Sequence, residues 1–208
     1  MERDSDTVER FQLVIGTVIL ALDPIPIAPL SKLIELDAED IYAVLDNLQP
    51  VISLKGGGDM PHIHHKSFLD YITDATRCKD SDLCIIPKGH HTRIATHCFQ
   101  VMNACLKHNI ACLDLGIPEH FLDNDAGLAA NGITEAQLGE KIPLELRYAC
   151  IYWANHLESA DIEDTDLMNE LELFGNEHLL HWFEALSWIR KLNVASRALD
   201  VPLKPMVM

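Results

Sequence analysis

A mainly α-helical fold with one small β-hairpin is what this sequence predicts, and three observations predict it. Apolar residues recur at helical spacing through most of the chain. The single strand-like stretch, Val51-Ile-Ser-Leu54, is followed by a glycine turn and a short return. Nowhere else does apolar–polar alternation persist long enough to build a larger sheet.

Taken in order, Phe11, Val14, Ile15, Val18, Ile19 and Leu22 form the stripe of a core helix. Asp23-Pro24-Ile25-Pro26 ends it, because each proline removes a backbone donor and biases its predecessor away from helix. A short helix is expected from Ala28 to Leu36, with Pro29 in its first turn and Leu30, Leu33 and Ile34 inward. Asp37 then reads as an N-cap, with Glu39 and Asp40 favouring the helix dipole and Ile41, Val44, Leu45 and Leu48 as the next stripe. Pro50 stops that helix. Gly56-Gly57-Gly58-Asp59 supplies a positive-φ turn, and His62 to His65 returns as the partner strand. Phe68, Leu69, Tyr71 and Ile72 begin a fourth helix that fades near Thr76.

Helix, helix-turn-helix, hairpin, helix is the order of a winged helix-turn-helix, placed at residues 6–76. Residues 77–89 read as a linker, with Leu83 to Pro87 extended. An all-α helical module follows over 90–200, and 201–208 form a tail. Within that module one helix is expected from His90 to His108, with Cys98 and Cys105 on its apolar face. Asn109 to Ile142 reads as loop with short helices. Pro143 opens a helix lined by Leu146, Ala149, Cys150, Trp153 and Leu157, and a last helix runs from about Glu177 to Leu199. Between them, Asp161 to Glu177 carries seven acids and no base and reads as an acidic loop.

Charge narrows the function. The formal net charge is −16, from 16 Lys and Arg against 32 Asp and Glu. Nucleic-acid binding draws much of its affinity from basic side chains on phosphates. Residues 1–76 hold 13 acids against 5 bases, and the helix from Asp37 to Leu48 has no Lys or Arg. No nucleic-acid partner is therefore expected, and a nucleic-acid-binding winged helix is kept only as an alternative. The most apolar segment, Phe11 to Leu22, is too short to span a bilayer, so no membrane partner is expected either. Cys78, Cys84, Cys98, Cys105, Cys112 and Cys150 follow no signal-peptide pattern and read as reduced thiols of a cytoplasmic protein.

No motif for catalysis stands out. The glycine run lacks the spaced Gly and the Lys-Ser/Thr pair of a phosphate-binding loop. His62, His64, His65, His90 and His91 show no clean zinc spacing, and His90-His91 reads as a solvent-side helix start. His97 and Cys98 are sequence neighbours that diverge on a helix. A non-enzymatic chain without metal or cofactor is expected. His65 itself reads as a helix cap or a packed side chain.

Several stretches resemble fungal NACHT-type STAND proteins, the NLR-like signalling NTPases. His65-Lys-Ser-Phe-Leu-Asp-Tyr-Ile72 is similar to the H-K-S-F-x-D-[FY]-[LI] signature that closes their winged helix. Leu45, Asn47 and Leu48 before Val51-Ile-Ser-Leu54 resemble the run that precedes it. Ile142-Pro-Leu-Glu-Leu-Arg-Tyr-Ala-Cys150 with Tyr152, Trp153, His156 and Leu157 resembles their L-P-x-x-L-x-Y-A-C-x-Y-W-x-x-H-L segment, and Leu179 to Ser187 resembles the helix ending their linker module. The resemblance implies that His65 occupies the position where relatives contact the β-phosphate of ADP. It also implies a regulatory role through packing on a protein partner or on a NACHT core. The NTPase motifs of the class are absent from these residues, so a fragment, a truncated paralogue or a regulatory module is expected, with a stand-alone adaptor for a full-length NACHT protein as a further alternative. An exposed apolar patch is expected where that core would sit.

Overall fold

The structure, a computed structural model, describes residues 4–55, 59–113 and 124–206, with side chains described as far as residue 199. The described chain is mainly helical with one small two-stranded antiparallel sheet.

The first helix, α1 (Ser5–Leu20), buries Val14, Ile15 and Ile19 and stops just before the Asp23-Pro24 turn. Helix α2 (Ile27–Ile34) ends at Glu35, which takes the left-handed conformation that more often falls to glycine. Asp37 does occupy the N-cap position of α3 (Ala38–Asp46), but its side chain makes no capping bond; the acids that follow in the first turn remain.

Strands β1 (Ile52–Lys55) and β2 (Met60–Ile63) pair with Ile52 opposite Ile63 and Lys55 opposite Met60. The expected glycine turn at 56–58 lies outside the described residues. The return strand begins and ends two residues earlier than expected. His64 and His65 therefore fall beyond β2, and α4 (Lys66–Ile72) follows immediately.

After the 73–86 loop, in which Leu83 belongs to a turn and not to an extended piece, α5 (Pro87–Cys105) starts earlier than the apolar stripe suggested. Pro87 sits in its first turn, where a missing backbone donor costs nothing. Helices α6 (Asn124–Ala130) and α7 (Glu135–Lys141) lie where only short helices were expected; Thr134 and Gln137 form a capping box for α7. Next comes α8 (Leu144–Ser159).

Two expectations fail beyond this point. The acidic stretch is not a loop but α9 (Thr165–Leu173), capped by Asp164, whose carboxylate accepts the Leu167 N–H at 2.9 Å. It continues through a π turn (Phe174–His178) into α10 (Leu179–Trp188). The expected last helix is broken after Trp188, and Arg190 takes a positive φ before α11 (Asn193–Met206), whose backbone also covers most of the expected tail.

One buried apolar cluster runs from Ile15, Leu33 and Ile52 near the hairpin to Phe99, Trp153, Phe174 and Trp182 among the later helices. Helices α1 and α5 approach so closely that a Cβ on Gly16 would overlap the buried His90 ring. Gly16→Ala is therefore expected to destabilise the fold by about 2 kcal/mol, the usual cost of overpacking a rigid contact, measured by urea unfolding. Stabilisation instead would mean that His90 swings clear and that glycine is not needed there.

Candidate functional site at the hairpin–helix junction

Because β2 ends at Ile63, His65 becomes the N-cap of α4. Its backbone is extended, and its Nδ1 accepts the Ser67 N–H at 3.1 Å. An accepting Nδ1 puts the ring proton on Nε2, which has no partner among the described residues and belongs to an exposed side chain. Of the roles open to His65, capping is observed. It leaves one N–H donor facing outward at a fixed point. His65→Ala is expected to cost about 1 kcal/mol, the value of a lost cap, whereas His65→Asn should retain most of it; thermal unfolding of both variants checks this.

The neighbouring histidines do not join His65 in a ligand set. His62 and His64 meet edge to face with ring centroids 5.9 Å apart. His62 instead lines a cleft of about 200 Å³ with Thr17, Val18, Ile25, Leu30 and Pro61. Among the described residues no three His, Cys, Asp or Glu side chains are placed to share a metal ion. All six cysteines are free thiols. Burial pushes the Cys98 and Cys150 thiols far up, away from the nucleophilic form. Cys105, expected inside, is exposed because α5 ends there.

A second polar cluster escaped the sequence. His90 and His91, expected at a solvent-side helix start, are buried and half-buried respectively, because α5 begins at Pro87 and carries both inward. His91 Nδ1 lies 2.9 Å from Nδ1 of fully buried His156, whose Nε2 lies 2.8 Å from the Tyr148 hydroxyl. That hydroxyl accepts the Leu22 N–H at 3.3 Å. The arrangement satisfying every group has Tyr148 donating to His156 and His156 donating to His91. Burial holds His156 down at about 3, with His91 adding to it, and His90 at about 4, with Arg93 and then His91 adding to it. It pushes the Tyr148 hydroxyl well up. All of these groups are therefore neutral near neutral pH, as a dry hydrogen-bonded chain requires.

This chain ties the end of α1 to α8 and α5. Beside it, Lys32 of α2 reaches the largely buried Glu145 of α8 at 3.0 Å. The only sequence signal for the cluster was the eight-residue spacing of Tyr148 and His156 on one helix; His91 comes from 65 residues away. No helix among the described residues is long and apolar enough to cross a membrane. Comparison with models of protein families, with curated proteins and with solved structures yields no match for the chain.

Proposed function

We propose that the chain is a non-catalytic regulatory module of the NLR-like STAND class, a winged helix joined to a helical segment, working in the cytoplasm. It acts by packing against a protein partner, either a NACHT core in cis or a full-length NACHT protein in trans. The observation that carries this reading is His65, with Nδ1 held as a helix cap and Nε2–H directed outward. A donor fixed at a strand–helix junction suits the diphosphate of a nucleotide held by a neighbouring domain. Leu22, Leu54 and Tyr71 are exposed on the same part of the chain and offer apolar contact area to such a partner. The chain from Leu22 to His91 supports a role in transmission, since it links the segment just after α1 to α8 and α5 through hydrogen bonds.

The test uses a recombinant NACHT core from a fungal STAND protein, loaded with ADP or with a non-hydrolysable ATP analogue, and measures binding by interferometry. Saturable binding is expected, tighter with ADP by about tenfold, which corresponds to about 1.5 kcal/mol from one hydrogen bond to a charged group. His65→Asn should abolish that preference while keeping the cap. Equal binding in both nucleotide states, or none, overturns the proposal. Helix α3 carries Glu39, Asp40 and Asp46 and no base, so a low-salt mobility-shift assay with duplex DNA is expected to show no complex.

A further inference from the structure

We infer that the outer face of the α9–α10 helix is a docking surface for a basic amphipathic helix of a partner protein. The inference is independent of the reading of His65. Leu167, Phe174 and Trp182 of this helix are buried, with Leu171 and His178 between them partly covered. The steps from Phe174 to His178 to Trp182 are four residues each, longer than an α-turn. The π turn at Phe174–His178 absorbs the excess and keeps this side inward. The opposite side, through Asn169, Leu173, Asn176 and Leu180, is consequently held toward solvent.

Two leucines are left out on that side. Leu180 is 79% exposed and Leu173 is 45% exposed, with Ile162 at 47% before the helix begins. The two leucines are seven positions apart, about 10 Å, the spacing at which a partner helix repeats its own apolar positions. Around them Glu163, Asp166, Glu172 and Glu177 are exposed and form no ion pair among the described residues. No Lys or Arg occurs from Asp161 to Ile189.

The charge selects the occupant. Anionic lipid and nucleic acid are both repelled by four free carboxylates, and a second copy of this face would set acids against acids. A helix with a leucine-rich stripe flanked by Lys and Arg meets both the apolar line and its acidic borders.

The probe is a fluorescein-labelled Leu/Lys amphipathic peptide of about 18 residues, compared by anisotropy with its Leu/Glu counterpart. The full chain is expected to bind the basic peptide saturably and not the acidic one, with affinity falling as salt rises. Leu173→Asp with Leu180→Asp should weaken binding at least about tenfold, and Glu172→Lys with Glu177→Lys about fivefold, because the contacts sit on this face. Leu144→Asp, at an exposed leucine of α8, should leave binding unchanged. Absence of saturable binding, or equal losses in the Leu144 and Leu173/Leu180 variants, overturns the inference. So does capture of the wild-type chain by phosphatidylcholine vesicles containing phosphatidylserine.

Discussion

Replacing Trp182 by alanine is expected to lower stability by about 4 kcal/mol, a large part of what a domain of this size possesses. Trp182 is fully buried and meets Trp153 and Phe174 edge to face at centroid distances of 5.8 and 6.0 Å. Phe99 completes the cluster, 5.2 Å from Trp153 and 5.4 Å from Phe174. The Trp182 indole also donates to the Cys150 carbonyl at 2.9 Å, so truncation removes packing and a buried hydrogen bond together. Four helices, α5, α8, α9 and α10, meet around these rings or at the π turn between the last two. Urea unfolding followed by tryptophan fluorescence measures the effect. A loss below about 1 kcal/mol would mean that the neighbouring rings collapse into the gap.

Acid is expected to weaken the fold through His156. In the folded chain its pKa is about 3, held down by burial and by His91, against about 6.5 when unfolded. Above the unfolded value both states are neutral and the group contributes nothing to the pH dependence. Below it the unfolded chain takes up a proton that the folded chain refuses. Stability then falls by about 1.4 kcal/mol per pH unit, and by about 2 kcal/mol by pH 5, until the folded value is approached. His90, held at about 4, acts in the same direction. Denaturant midpoints across this range, for the wild type and for His156→Gln, measure it. The variant should show a shallower slope whatever its stability at neutral pH. An unchanged slope would assign the acid sensitivity to other groups.

The elements legible in the sequence were those in which one apolar stripe meets one buried face. The stripe from Phe11 to Ile19 became α1, although Leu22, expected as its last core position, falls past the helix end and is exposed; Leu146, Ala149, Cys150, Trp153 and Leu157 became the inner side of α8. Helix α9 was missed because its acids outnumber the few apolar side chains that anchor it, Leu167 and Leu171 on the way to Phe174. The break after Trp188 was missed because an arginine, without glycine or proline beside it, adopts the left-handed conformation there. At the candidate site, the capping role of His65 could be read from a histidine just before a helix. Its Nδ1 assignment required the true end of β2. The His91–His156–Tyr148 chain depends on two distant segments meeting, and no local pattern encodes that meeting.

That buried chain has a direction. The Leu22 amide, the Tyr148 hydroxyl and the His156 ring each pass their hydrogen to the next group, ending at half-buried His91. The Leu22 amide can only donate, whereas the two ring links depend on the tautomer of His156, so those two share one direction. A His91 ring that donated from Nδ1 would turn both ring links around and take the His156 acceptor away from the Tyr148 hydrogen, while the Leu22 amide went on donating. The molecule carries, in the side chains of Tyr148, His156 and His91, a polar connection whose protons are placed together and not one by one.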